Sequence, residues 1–284
     1  MTSFVSDTGS LALDQVQEMP AHATATINLR IESAVLENPG PRPGYSGVEE
    51  RSAPLHAFLE HSMLYSFPIV FGLSLYFSVN RLYELELLWL AILAIPIAHL
   101  WGDFLSGFVH WAADTYGTES TPVVGQSLIK PFRLHHLYPR DICVHNLVTT
   151  LGNTCILAVP VLGFCVYLLW VTEHGLLAFI ILCTTLMAAS TVATNLFHKW
   201  AHQESTSKGV RLLQRMRLVL DPEHHELHHT RPFDKHYCIT NGWLNPLLNR
   251  IGFFRKLEAM LLLIGVKATN TEDREPQMSL DPIE

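Results

Sequence analysis

Four apolar stretches dominate the chain, at residues 63–79, 85–104, 154–172 and 176–197. Each is close to the ~20 residues that an α-helix needs to cross a hydrocarbon core of about 30 Å. Lipid offers no partner to an unpaired backbone N–H or C=O, so a lone segment of this length crosses only as a helix. Helices buried in a soluble core are the rival reading, but four such runs between residues 63 and 197 exceed what one soluble domain needs. Charged residues are 16% of the chain, against about 25% in soluble domains. The pattern predicts an all-α integral membrane protein, built on a four-helix bundle.

The ends read differently. Residues 1–50 carry −5 and residues 267–284 carry −3 of the overall −7, which leaves +1 for 51–266. Both ends are expected to be disordered, the first an acidic lead rich in Gly, Pro and Ser, and 51–266 to be the membrane domain. The domain has no basic excess, so nucleic acid is not an expected partner. Lys and Arg decide orientation. The first interhelical loop has Arg81 alone and the third has none, whereas Lys130, Arg133 and Arg140 lie in the middle loop and ten bases follow the fourth span as far as Lys256. This bias predicts that both termini and the middle loop are cytoplasmic. After residue 244 apolar positions alternate with Arg250, Arg255 and Lys256, as an interfacial helix requires.

The five cysteines form no C-x-x-C pair and read as small buried hydrophobes. Histidine is the informative residue: there are sixteen. His198 and His202 stand at i and i+4, one above the other on a helix face; His225, His228 and His229 stand at i, i+3 and i+4. His110 and Asp114 repeat the spacing with a carboxylate, and His135, His136 and His145 come from the middle loop. With His224 and His236 these all fall on the expected cytoplasmic side, forming a histidine-rich helical cap. His22, His56, His61 and His174 read as ordinary polar residues, and His99 stays open.

One zinc takes three or four ligands. Eight or nine imidazoles suit two ions instead, and two irons supply O₂ reduction and hydrogen abstraction from an unactivated C–H bond. Asp103, Asp114, Asp141, Glu226 and Asp234 are candidates to hold imidazole N–H groups, with Asp114 and Glu226 the candidate catalytic carboxylates. A rival reading takes His225-Glu226-x-x-His229 as a zinc hydrolase motif with Glu226 as general base. It leaves at least five clustered histidines idle. A non-catalytic metal-binding membrane protein is a third reading.

The segments HWAADTYG (110–117), IKPFRLHHLYP (129–139), NLFHKWAH (195–202), HHELHH (224–229) and YCITNGWLNPLL (237–248) resemble those of the plasmanylethanolamine desaturases. The resemblance runs from about Trp101 to Leu257. It implies an integral membrane enzyme that converts the 1-O-alkyl chain of an ether phospholipid to a vinyl ether, forming plasmalogen. It also implies O₂ as co-substrate and electrons from NAD(P)H through a separate electron-transfer protein. The family's histidine boxes map onto His198–His202 and His225–His229, its other motif histidines onto His110, His135, His136, His145 and His224, and its aspartate onto Asp114. His236 matches no family histidine. A plant branch that desaturates a phospholipid acyl chain near its carboxyl end is the nearest alternative. A headgroup held at the interface, with Lys130, Arg133 or Arg140 facing its phosphate, would leave the first chain carbons nearest the metals.

Overall fold

The computed structural model describes residues 40–42, 44, 45, 47 and 54–270. The chain divides into two compact units, Met1–Gly40 and Pro41–Glu284. Apart from Gly40 the first unit lies outside the described residues, as does the tail beyond 270, so most of the expected acidic lead and tail falls there. The description that follows is of the second unit.

Four long helices correspond to the apolar runs: α1 Pro54–Glu84, α2 Leu90–Thr115, α4 Leu147–Val171 and α5 Gly175–His202. All four are long and apolar enough to cross a membrane. The helices outrun the apolar segments, because chain leaving lipid stays helical until a turn residue ends it. α1 therefore begins nine residues before the apolar run at 63. α2 starts at Leu90, later than expected, because Leu87 N–H bonds back to Leu82 O at 2.8 Å and Leu85–Trp89 form the turn. The Asn146 side chain accepts from Thr149 N–H at 2.9 Å and starts α4. Pro68, Pro96 and Pro160 lie inside α1, α2 and α4, as membrane helices tolerate. Large apolar side chains such as Tyr65, Ile69, Leu157, Trp170 and Leu176 are exposed around the bundle. In water that surface would be an aggregation liability; in lipid it is the solvent-facing one. The protein is a multi-pass membrane protein.

α1 packs on α4 and α5, and α5 packs on α2 and α4. One apolar core, with Leu82, Ala94, Leu169 and Leu182, closes the end of the bundle away from the histidines. A second, with Cys155, Leu162 and Val192, fills the middle. Within the bilayer Ser74 and Thr185 satisfy each other across α1 and α5 at 2.6 Å.

At the other end lies a cap of short helices: α3 Lys130–Leu137, α6 Lys208–Arg215, α7 Pro222–Glu226, α8 Asn245–Arg250 and α9 Phe253–Leu263. α8 and α9 divide the single C-terminal helix expected from the sequence. Leu248 and Phe254 pack with Trp111 and Tyr237 in a third core, while Met260, Leu262 and Leu263 are exposed. That two-faced burial suits an interfacial helix.

The cap is fastened to α2 by one buried carboxylate. Asp103 accepts from the backbone N–H groups of Asn241 (3.1 Å), Gly242 (3.0 Å) and Leu244 (3.1 Å). Three residues on, Ser106 Oγ accepts from Ile239 N–H at 3.0 Å. Gly107 makes room for this loop, since a Cβ there would stand 2.5 Å from Cys238 Sγ. Asn245 closes the loop through both its amide atoms, 2.9 Å from Cys238 N–H and 2.9 Å from Cys238 O. Asp103→Ala strands three backbone donors, two of them buried, and each hydrogen bond to a charged group contributes about 1.5–3 kcal/mol. The variant is expected to lose about 3 kcal/mol of stability or more, read as a lower thermal midpoint in detergent.

Candidate metal centre

The helices bring nine side chains to one buried place. α2 supplies His110 and Asp114 from one face, and α5 supplies His198 and His202 from its last turn. α3 supplies the adjacent pair His135 and His136. The remaining three depend on α7. The Asp221 side chain caps it by accepting from His224 N–H at 3.0 Å, with Pro222 in the first turn. This cap sets where His225, His228 and His229 point.

The nine sort into two groups. His135, His198, His202, His225 and His229 form one; His110, Asp114, His136 and His228 form the other. In the first, His202 Nε2 lies 2.9 Å from His135 Nε2, 2.9 Å from His225 Nε2 and 3.2 Å from His198 Nε2, and His225 and His229 Nε2 are 3.1 Å apart. In the second, His136 and His228 Nε2 are 3.0 Å apart. Asp114 Oδ2 lies 3.4, 3.5 and 3.7 Å from Nε2 of His110, His136 and His228.

Hydrogen bonding does not account for these distances. A ring nitrogen carries either one proton or one lone pair in its plane, so His202 Nε2 cannot bond to three neighbours. Ligands about 2.1 Å from a common ion stand about 3.0 Å apart at right angles, as in an octahedron. The second-neighbour bonds agree. His110 Nδ1–H donates to Tyr237 O at 3.1 Å and His228 Nδ1–H to Lys235 O at 2.8 Å. Both leave the Nε2 lone pair facing inward, the form that ligates. Burial, and then the neighbouring imidazoles, hold His135, His136, His225 and His229 well below the usual imidazole range; burial lowers His228 to about 4. Two groups that could each hold an ion are thus preformed, five imidazole nitrogens in one and three nitrogens with a carboxylate in the other.

Comparison with known proteins matches residues 99–271 to the lipid desaturase domain. The chain belongs to the lipid desaturase family. It is 41% identical over 178 residues to plasmanylethanolamine desaturase of Myxococcus xanthus, covering 61% of each chain. It is 36% identical over 179 residues to plasmanylethanolamine desaturase 1 of Mus musculus, covering 61% of this chain and 65% of that one. Fatty acid desaturase 4, chloroplastic, of Arabidopsis thaliana is 32% identical over 172 residues, 60% of this chain and 51% of that one. The match thus spans about half to two-thirds of these relatives. No solved structure matches the chain. All nine ligand candidates fall inside the matched lipid desaturase domain.

Three residues expected at the site stand outside both groups. His145 Nε2 lies 2.8 Å from Tyr45 Oη, and its carbonyl accepts from Lys199 Nζ at 2.5 Å. His224 Nε2 accepts from Asn245 Nδ2 at 3.0 Å and braces the loop, with His236 Nδ1 3.4 Å away. Glu226 is exposed on the outer side of α7, so it is not placed as the base that the hydrolase reading needs. Asp114 enters as a ligand candidate rather than as a holder of an imidazole N–H. Asp141 pairs with Arg42 and Asp234 with Arg255 at 2.6 Å. His99 Nε2 accepts from Asn241 Nδ2 at 2.5 Å. The bases of the middle loop have partners within the protein: Arg133 binds the carbonyls that end α2, at Ala113, Tyr116 and Gly117, while Lys130 and Arg140 pair with Glu119 and Glu204. The Tyr237 and Lys235 carbonyls are not legible in the sequence, because any residue supplies a carbonyl and no pattern marks it.

The lowered imidazole values set the acid limit of the metal-free protein. Above pH 6.5 these histidines are neutral folded or unfolded and cost nothing. As pH falls from 6.5 towards the His228 value of about 4, the unfolded chain takes up protons that the folded chain excludes. The thermal midpoint of the chelated protein is expected to fall steadily through that window, and less steeply in His228→Gln.

Proposed function

We propose that this lipid desaturase takes a 1-O-alkyl ether phospholipid and removes two hydrogens from the carbons next to the ether oxygen, giving a vinyl ether. Two irons, held by His135, His198, His202, His225 and His229 and by His110, Asp114, His136 and His228, would supply O₂ reduction and C–H hydrogen abstraction when bound. Electrons would come from NAD(P)H through a separate carrier protein. The names of the bacterial and mouse relatives support this substrate.

The observation that carries the reading is a cavity of about 440 Å³ bounded by α2, α3, α4 and α5. Its polar end is lined by Arg42, Tyr45, Asp141 and His145; His135 and His198 line it next; then it follows α4 and α5 to Val161 and Thr184. From His198 to Thr184 along α5 is about 21 Å. A lipid with its head at the polar end lays its first chain carbons beside the first ligand group and its tail along the apolar remainder. Apolar walls exclude water from the reacting carbons. Buried backbone carbonyls at Tyr237 and Lys235 keep His110 and His228 oriented. The relative named as a fatty acid desaturase favours acyl-chain desaturation near the head as the second reading, since the same cavity accepts either linkage.

The site end is proposed to face the cytoplasm. In a cysteine-depleted background, single cysteines at Ser120 and Lys208 are expected to react with an impermeant reagent from the cytoplasmic side, and one at His174 from the other. Division of the first two between the faces would overturn the topology.

The reaction is tested in cells that lack vinyl-ether lipids, expressing this chain and fed a 1-O-alkylglycerol. Ether lipids two mass units lighter should accumulate, release an aldehyde in mild acid, require O₂ and be absent with His225→Ala, His229→Ala. An acid-stable product would assign the new bond to another position and favour the acyl reading.

A further inference from the structure

The cavity's polar end is built partly by chain outside the matched domain. Arg42 backbone N–H donates to Asp141 Oδ1 at 2.8 Å, and its side-chain Nε–H donates to Asp141 Oδ2. The guanidinium lies 4.5 Å from the Tyr45 ring centroid and 5.3 Å from that of Tyr138. Tyr45 Oη reaches His145 Nε2 at 2.8 Å. Gly47 is buried against the backbone of Val144, where a Cβ would stand 2.5 Å from the carbonyl oxygen. Residues assigned by composition to a disordered lead are therefore seated on the segment between α3 and α4.

Charge is confined to this end. Among the described residues lining the cavity, Arg42 is the one Lys or Arg and Asp141 the one Asp or Glu; the other walls are apolar, hydroxyl, amide or imidazole. The pair is partly open, with 28% of the Arg42 and 11% of the Asp141 side chain exposed. A guanidinium matches a phosphate geometrically as well as electrostatically. A fixed anion beside it disfavours a ligand that brings negative charge alone, and favours one that brings a cation to meet the carboxylate.

We propose that the segment carrying Arg42 and Tyr45 forms a headgroup subsite for a zwitterionic phospholipid, with the phosphate on Arg42 and the Tyr45 hydroxyl and the ammonium on Asp141. This rests on the lipid reading above and adds the selection of headgroup. The anchor is also the selector: Asp141 holds Arg42 through its backbone N–H, and Asn at 141 keeps that acceptor while losing the charge.

The test is equilibrium binding by the metal-loaded full chain, read as displacement of a fluorescent lipid without turnover. The probes share the same chains: a 1-O-alkyl phosphatidylethanolamine, the matching phosphatidylglycerol and the uncharged glycerolipid. The ethanolamine lipid is expected to bind about tenfold tighter than the glycerol phospholipid, and Asp141→Asn to erase that preference. Arg42→Gln should weaken both phospholipids about tenfold, one charge-assisted hydrogen bond's worth, and leave the uncharged lipid unchanged; Tyr45→Phe should do the same to a smaller degree. Equal affinity of the unsubstituted protein for the two phospholipids overturns the proposal. So does an Arg42→Gln effect that falls equally on the uncharged lipid, which would make the segment a wall only. If the preference appears but no vinyl ether forms in cells, the subsite stands and the reaction assigned above fails.

Discussion

His202 Nε2 has three other imidazole nitrogens within 3.2 Å, and no arrangement of protons turns all three contacts into hydrogen bonds. Buried polar atoms without partners are costly, and a fold does not gather five of them by chance. The cost is offset only when something shares the lone pairs. A cation is the one partner that accepts several at once at this spacing. Much of the cap serves to hold these nitrogens facing one another before any ion arrives.

That preorganisation comes from the backbone. Tyr237 O and Lys235 O fix two of the three imidazoles of the carboxylate-bearing group, those of His110 and His228, and both carbonyls belong to the stretch that leads into the loop tied to α2 by Asp103 and Ser106. The chain of dependence is short: a carboxylate on a membrane helix holds a loop, the stretch leading into that loop holds two rings by its carbonyls, and the rings face the place where an ion could sit. Thr194 and Thr240 add a 2.7 Å bond from α5 to the same loop. α2 and α5, which carry four of the ligand candidates, are thus braced to one structure.

The lipid desaturase domain begins at residue 99, so α1 lies outside it. α1 nevertheless packs along α4 and α5 and completes the bundle. Arg42 and Tyr45, further upstream, close the polar end of the cavity. The nine candidate metal ligands all lie in the matched domain, whereas Arg42 and Tyr45, at the polar end of the cavity, lie outside it.

The number and rough position of the spans, and the pairing of His198 with His202 and of His110 with Asp114, were legible in the sequence. Both depend on local quantities: apolar length against bilayer thickness, and the 3.6-residue helical turn. Which of the candidates fall into one group was not legible. His135 and His136 are adjacent in sequence yet face different groups, as do His228 and His229, because neighbours on a helix point about 100° apart and each ring joins whatever α2, α5 or α7 brings to its side. His145 and His224 look no different from the ligands in sequence, and only packing turns them towards Tyr45 and Asn245. Arg42 and Tyr45 sit in a stretch whose composition denies it a fold of its own. These two residues are held by Asp141 and His145, about a hundred residues away, and a contact of that separation exists only once the helices between have packed.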